Sequence, residues 1–297
     1  MTGKPVAFVG LGIMGYPMAG HLQKAGYRVR AYNRSPEKAR RWVEEFGGAR
    51  ADSPAEAAQG AEIVFTCVGN DQDLREVVMG PQGIRETLAE GAVLVDHTTT
   101  SAEVARELAA ALGEQGAHFI DAPVSGGEQG AQAGRLTIMC GGESAVFQQL
   151  QPVLAVYGAN VTRLGESGAG QLTKMVNQIC VAGVLEGLAE GMAFAENAGL
   201  DVAAVMELLQ HGAGGSWQMS NRYRTMLDGE YDHGFAVDWM RKDLQLCLHE
   251  ARENGSELPL TRQVNEFYDE ISHMGGGRQD TSSLFRRLQE RRKRNLH

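Results

Sequence analysis

Five short stretches of this chain gather residues whose types and spacing do chemistry. The first is Gly10-Leu11-Gly12-Ile13-Met14-Gly15, a Gly-x-Gly-x-x-Gly loop between an apolar run and a helical pattern. Such a loop binds a dinucleotide. Its first glycine allows a tight turn and its second lets the backbone approach a pyrophosphate. Its third lets the new helix pack on the strand, and the helix start offers N–H groups to the phosphates. The second stretch is Asn33-Arg34-Ser35, about 20 residues on, where an NAD enzyme sets an acid against the ribose. Asn33 does not repel a 2′-phosphate, Arg34 can pair with it and stack on adenine, and Ser35 can donate a hydrogen bond. NADP(H) is therefore favoured over NAD(H). The third is Asp121-Ala122-Pro123-Val124-Ser125-Gly126-Gly127, which ends a strand in a glycine-rich turn. It lacks a hydrolase's Gly-x-Ser-x-Gly elbow. It is either an anion-binding concavity of backbone N–H groups plus the Ser125 hydroxyl, or a simple loop. In the fourth, Gly168–Asn177, residues Gly170, Lys174 and Asn177 share a helix face. Gly170 leaves room there for Lys174 and Asn177 to present a proton donor and a polar group. The fifth, Met240-Arg241-Lys242-Asp243-Leu244, reads by itself as an exposed charge pair worth under about 1 kcal/mol.

These groups need a scaffold that brings strand ends together. Pro5–Val9, Arg28–Tyr32, Ile63–Cys67, Ala92–Asp96, His118–Asp121, Leu136–Cys140 and Val161–Leu164 read as strands. Met14–Ala25 (with Pro17 in its first turn), Pro36–Phe46 and Ser101–Gln115 (capped by Thr100 or Ser101) read as helices between them. Continuously apolar runs such as Ile63–Cys67 suit a parallel sheet buried on both faces. The alternation is that of a doubly wound α/β sheet, with its strand C-termini along one edge. After Gly168 the strand signals largely stop. Ala169–Ala198 reads as one long helix ending at Gly199, followed by Val202–Leu209 (capped by Asp201), Asp238–Asn254, Thr261–Met274 and Ser282–Asn295. The spacing predicts a nucleotide-binding domain over residues 1–166 and an all-α domain over 167–297, joined by the long helix. That helix carries Gly183, Gly187 and Gly191 at four-residue spacing, each costing up to about 1 kcal/mol relative to alanine. The row points to close packing, within the helical domain or against a second subunit. Glu186 and Glu190 exclude a lipid-facing span.

The composition, 43% hydrophobic and 22% charged over 297 residues, is that of an ordinary globular protein. A net charge of −9 argues against nucleic acid as a partner. The basic tail, Arg286-Arg287 and Arg291-Arg292-Lys293-Arg294, reads as a solvated helix end. Cys67, Cys140, Cys180 and Cys247 show no paired spacing, and three sit in apolar segments, so buried reduced thiols in a cytoplasmic protein are expected. The histidines form no metal-like spacing, and neither a targeting segment nor a membrane partner is expected.

Together, Phe8–Leu22, Asp121–Gly127, Gly168–Asn177, Lys242-Asp243-Leu244 and Gly277-Arg278-Gln279-Asp280-Thr281-Ser282 resemble the β-hydroxyacid dehydrogenase family over nearly the whole chain. This family includes 3-hydroxyisobutyrate dehydrogenase and tartronate semialdehyde reductase. The resemblance implies a Rossmann domain, then an all-α substrate and oligomerisation domain, and a homodimer or homotetramer formed through the latter. By position it implies that Lys174 is the catalytic lysine and Asn177 its polar neighbour in the site. Ser125, Gly126 and Gly127 would cradle the substrate carboxylate. The cofactor would be held by Gly10 to Gly15, Asn33, Arg34, Ser35, Cys67, Val68, Thr98 and Lys242, the last at its nicotinamide end. One departure is visible: the family often has Leu-Pro where this chain has Val68-Gly69, which loosens that loop. Asn33-Arg34 resembles the NADPH-using aldehyde reductases. Hydride transfer would put negative charge on a substrate carbonyl oxygen, which Lys174 would stabilise and protonate. An unperturbed lysine, with pKa about 10.4, is a poor base in the reverse direction; burial and Lys242 would lower it. The substrate candidates are small acids: 3-hydroxyisobutyrate, tartronate semialdehyde, glyoxylate, succinic semialdehyde and 3-hydroxypropionate. Ser216–Met219 and Asn221-Arg222 either shape that pocket or belong to the core. The rival readings are an imine reductase, a branch that usually lacks the lysine, and a non-catalytic NADP(H) sensor or scaffold. A decarboxylating 6-phosphogluconate dehydrogenase shares several motifs but is a much longer chain.

Overall fold

The computed structural model describes residues 3–295, with side chains up to residue 293, so Arg294 of the basic tail lies outside the described side chains. The chain divides into two compact units, Met1–Lys174 and Met175–His297.

The first unit alternates β1 (Pro5–Val9), α1 (Gly15–Lys24), β2 (Arg28–Tyr32), α2 (Pro36–Phe46), β3 (Ala49–Arg50), α3 (Pro54–Ala58), β4 (Ile63–Thr66) and α4 (Asp71–Met79). It continues with β5 (Val93–Asp96), α5 (Ala102–Gly113), β6 (His118–Asp121), β7 (Val124–Ser125), α6 (Gly127–Gln132), β8 (Leu136–Gly142), α7 (Ser144–Leu154) and β9 (Gly158–Gly165). The strands form one sheet in the order β3-β2-β1-β4-β5-β6-β8, with β7 and β9 also paired to β8. Pairing is parallel from β3 to β6 and turns antiparallel at β8. Alternate residues of the central strands feed two cores. Phe8, Phe65 and Val95 join Leu22, Trp42 and Tyr157 on one face. Ala7, Val64 and Leu94 join Leu108 and Phe119 on the other. Side chains buried on both faces explain why these strands read as continuous apolar runs.

The second unit is helical. After α8 (Ala169–Asn197) come α9 (Val202–Leu209), α10 (Trp217–Asp228), α11 (Val237–Asn254), α12 (Pro259–Ile271) and α13 (Leu284–Asn295). Leu185, Met192, Met226, Leu244, Tyr268 and Phe285 centre its core. The first turns of α8 fall with the sheet because their amides are tied to it: Asp121 accepts from Gly168 N at 2.8 Å and Gln171 N at 3.0 Å. Among the described residues one helix, α8, is long and apolar enough to cross a membrane. It buries Gln178 and Glu186 and sends Leu185 and Met192 into the helical core, so it is a core helix.

Several expectations shift. Helix α10 was not read from sequence, although Ser216 caps it through Met219 N and Gly229 closes it at φ +70°. Its Met219 is core, while Trp217 is exposed. The α-helical part of α12 ends at Ile271 and a π-helical turn continues it over Ser272–Gly276, where Gly275 at φ +82° leaves helical geometry. Of the four free cysteines, Cys140 and Cys247 are buried and Cys67 half-buried, but Cys180 is exposed on the outer side of α8.

Candidate active site

Each glycine of the N-terminal loop answers a different steric demand. Gly10 sits at φ +102°, and a Cβ there would lie 2.2 Å from the Cys67 carbonyl oxygen. A Cβ on Gly15 would lie 2.0 Å from the Gly10 carbonyl oxygen, so α1 can start only where a glycine is. A Cβ on Gly12 would meet nothing within 4 Å, so the outer side of the loop is open to a phosphate chain. Met14 precedes α1 without a side-chain cap, and the first turn holds no acid. The free N–H groups and the positive end of the helix dipole thus fit a dinucleotide pyrophosphate. Ile13 is exposed beside them.

Asn33 does more than avoid repulsion. Its Oδ1 accepts from Leu11 N at 2.9 Å and its Nδ2 donates to the Ser35 carbonyl at 3.1 Å, so it ties the glycine loop to the end of β2. Arg34 is exposed and faces Asp73 at 3.4 Å. The Ser35 hydroxyl donates to Glu37 at 3.1 Å.

The ends of β4 and β5 meet in a buried polar knot. Thr98 Oγ1 donates to Asp96 Oδ1 at 2.6 Å and accepts from Val68 N at 3.0 Å. Burial pushes the Asp96 carboxyl up to about 7. Its neighbour His97 makes hydrogen bonds to the Ala122 carbonyl at 2.7 Å and Tyr157 Oη at 2.8 Å. A carbonyl can only accept, so Nδ1 carries the proton and Nε2 accepts from tyrosine. Burial pushes this imidazole down to about 4.

Beyond β6, Gly126 at φ +130° and Gly127 at φ +61° turn the chain out of Ser125, which is half-buried, into α6. Asp121, at the end of the same strand, grips the start of α8 through the two amides given above. Gln171 adds a second tie: its Nε2 donates to the Thr98 carbonyl at 2.7 Å and its Oε1 accepts from Thr100 N at 3.0 Å. The loops after β5 and β6 and the helix bearing Lys174 are therefore one connected frame. Lys174 is 8% exposed. Gly170 corrects the sequence reading: a Cβ there would lie 2.4 Å from the Met139 carbonyl oxygen and 2.7 Å from that of Asp121. Its missing side chain lets the helix close on the sheet and leaves no room for a ligand.

In the second unit Asn177 Nδ2 donates to Gln178 Oε1 at 2.8 Å, and Gln178 Nε2 donates to Asp243 Oδ2 at 2.6 Å. Lys242 pairs with Asp243 Oδ1 at 3.1 Å and lies 5.8 Å from the Trp239 ring centroid. Asp243 is 2% exposed, so the pair read as surface charge is built on a buried carboxylate. The Gly277–Ser282 motif serves the fold. Asp280 is buried, accepts from Phe235 N and Ser282 N, and pairs with Arg222 at 3.3 Å. Sequence reasoning missed Asp96, Gln171 and Gln178; their side chains act on other parts of the protein, and no spacing rule marks that.

Residues 5–165 match the NAD-binding domain of 6-phosphogluconate dehydrogenase, and residues 168–288 match the NAD-binding model of NADP-dependent 3-hydroxyisobutyrate dehydrogenase. The chain belongs to the β-hydroxyacid dehydrogenase family. As a member it is an NAD(P)-dependent oxidoreductase. Relatives within the β-hydroxyacid dehydrogenases include an uncharacterized oxidoreductase of Shewanella frigidimarina, 58% identical over 97% of this chain and 99% of its own. The 2-(hydroxymethyl)glutarate dehydrogenase of Eubacterium barkeri is 33% identical over 95% and 93%. The 2-hydroxy-3-oxopropionate reductase of Escherichia coli is 32% identical over 96% and 97%. Among solved structures, Mycobacterium tuberculosis 3-hydroxyisobutyrate dehydrogenase with L-serine superposes with a TM-score of 0.87 at 27% identity, covering 97% of this chain and 99% of that one. Psf3 in complex with NADP+ and 2-OPP gives 0.86 at 28%, covering 95% and 99%. An imine reductase from Pseudomonas, 22% identical with a TM-score of 0.62 over 96% of this chain and 99% of its own, shares the fold.

Proposed function

We propose that this β-hydroxyacid dehydrogenase moves a hydride between NADP(H) and a small 3-hydroxy acid or semialdehyde acid, with Lys174 as general acid and base. The observation that carries the reading is the placement of Lys174: a lysine withdrawn from solvent, on a helix anchored by Asp121 in the segment that ends in Ser125-Gly126-Gly127. Lysines are seldom buried without a task or a partner. Bound NADPH supplies the hydride. Gly10 to Gly15 would hold its pyrophosphate, Arg34 and Ser35 would take the 2′-phosphate, and Cys67, Val68 and Thr98 would face its nicotinamide half. The Ser125 hydroxyl and the Gly126 and Gly127 amides hold the substrate carboxylate and aim its carbonyl. As negative charge gathers on the carbonyl oxygen, the Lys174 ammonium stabilises it and passes over a proton, leaving a hydroxyl group. In the reverse direction neutral Lys174 takes the hydroxyl proton. Asn177, three residues further along the helix, supplies a polar contact to the same group. The relatives named for hydroxy-acid chemistry and the NADP+ complex of Psf3 support this substrate class and cofactor. The four free thiols fit a soluble cytoplasmic enzyme.

The test follows nicotinamide absorbance with NADPH and NADH against tartronate semialdehyde, succinic semialdehyde and glyoxylate, and in reverse against 3-hydroxyisobutyrate and 3-hydroxypropionate. We expect turnover with NADPH, and a loss of kcat of about 100-fold or more in Lys174→Ala with NADPH binding retained. Near-normal turnover in that variant removes Lys174 from the mechanism. Arg34→Ala should weaken NADPH by about tenfold or more and NADH little, as loss of a charge-assisted contact dictates. Equal losses would refute the phosphate role. A silent panel with NADPH bound points to an imine substrate or a sensor.

A further inference from the structure

β4 ends at Thr66 and runs into Cys67-Val68-Gly69, and β5 ends at Asp96 and runs into His97-Thr98. One carboxyl oxygen joins the two ends. Asp96 Oδ1 accepts from Thr66 Oγ1 at 2.7 Å, from Thr98 Oγ1 at 2.6 Å and from Thr98 N at 3.1 Å. With its hydrogen turned to Asp96, the Thr98 hydroxyl keeps its lone pairs for other partners, and one of them accepts from Val68 N at 3.0 Å. Thr66, Asp96 and Thr98 are all buried, and Asp96 Oδ2 has no hydrogen-bond partner among the described residues. Burying a carboxyl in this way carries a desolvation cost, and the knot itself uses one of its two oxygens.

The knot reaches the nucleotide loop. The Cys67 carbonyl oxygen occupies the place of a Cβ on Gly10, so the Cys67–Val68 backbone is the wall that shapes the Gly10 turn. Gly69 follows directly, and glycine restrains the backbone less than any other residue. Cys67 N donates to the Val9 carbonyl at 2.9 Å, and the Val68 amide bond to Thr98 is a further restraint on this segment.

We propose that Asp96 is a positioning residue for the nucleotide cofactor: it holds the Thr98 hydroxyl inward, which pins Val68 and with it the Cys67 backbone that backs the glycine loop. The proposal rests on the reading of Cys67, Val68 and Thr98 as cofactor contacts. Burial favours the neutral acid, which accepts through Oδ1 as a carboxamide does.

The test is the Kd for NADPH by calorimetry, with thermal unfolding measured beside it. Asp96→Leu removes the acceptor, and Thr98→Val removes the hydroxyl bridge. Each should weaken NADPH by about fivefold to tenfold, as loss of one or two net hydrogen bonds implies. The double variant should bind no more weakly than the weaker single one, because both act through one contact. Asp96→Asn keeps an acceptor and should stay within about twofold of the parent. Additive losses, an Asp96→Asn as weak as Asp96→Leu, or a lowered Tm with unchanged Kd in Asp96→Leu would each overturn the proposal. Where Asp96→Leu does not fold, Thr98→Val against Thr98→Ser makes the same comparison: serine keeps the hydroxyl and should keep the affinity, and equal losses overturn the proposal. An unchanged Kd in Thr98→Val removes Thr98 from the cofactor site, and the proposal with it. Weakened binding in Thr98→Val beside an unaffected Asp96→Leu removes the proposal alone.

Discussion

Asp96 and His97 are sequence neighbours, both buried, and burial shifts them in opposite directions, the acid up to about 7 and the imidazole down to about 4. Their effects on stability therefore oppose each other. The raised Asp96 contributes stability that is full below its unfolded value near 3.9 and is lost as pH rises toward 7. The depressed His97 contributes stability that is full above its unfolded value near 6.5 and is lost as pH falls toward 4. Between pH 4 and 6.5 the two slopes, each about 1.4 kcal/mol per pH unit, cancel. Asp96→Asn removes one of them. The stability of that variant relative to the parent should rise with pH by about 1.4 kcal/mol per unit across this window. Urea unfolding at pH 4.5 and 6.3 measures the difference, and parallel pH dependence in the two proteins contradicts the assignment.

At the scale of elements, the glycine loop, the sheet and the long helix are held in register by side chains that touch backbone. Gln171 is the clearest case, with one amide group bonded on both sides to the loop after β5. Gln171→Leu fills similar volume but leaves the Thr98 carbonyl and the Thr100 amide buried and unpaired, at about 1–3 kcal/mol each. Urea unfolding should register a loss of about 2–6 kcal/mol; a loss under about 0.5 kcal/mol would mean that water replaces the amide. The same contrast explains what could be read from sequence. β1, β2 and β6 appear with the expected bounds, since four or five apolar or alternating residues between turn signals are unambiguous. The two residues of β3 and of β7 show no period, and Pro152 inside α7 reads as a helix breaker. The glycine loop was legible because only one residue type fits its turn, as at Gly10, whereas the roles given to Arg34 and Lys174 stand as proposals. The candidate site was illegible where a residue acts on the protein's own backbone or on another side chain. Gly170 was read as ligand space because a missing side chain looks the same in sequence whether a substrate or a β-strand fills the gap.

At the scale of the whole molecule the open question is what covers α8. Val176, Cys180, Val184, Gly187, Gly191 and Phe194 all lie exposed, at helical spacings that set them on one face. Phe194 is 73% exposed, and a Cβ on Gly187 or Gly191 would point into open space. A Cβ on Gly183 would lie 3.2 Å from Leu260 Cδ2, so one position of the glycine row faces a neighbour within the unit and the other two do not. An apolar stripe several turns long, with two glycines that weaken the helix carrying it, has no use in a solvated face. Small residues at four-residue spacing let two helix backbones approach closely. We therefore expect a second copy of the chain to lie along this stripe, giving a homodimer or a homotetramer. Sedimentation at micromolar concentration should show two or four times the 32.1 kDa chain mass. Gly191→Glu places a carboxylate within the contact while raising intrinsic helix propensity, so the variant should keep its helical circular dichroism and sediment as a monomer. A monomeric parent would leave the stripe without a partner and end this reading. An oligomeric Gly191→Glu would move the interface to another face, where exposed Leu208 and Leu209 on α9 are the next apolar group to test.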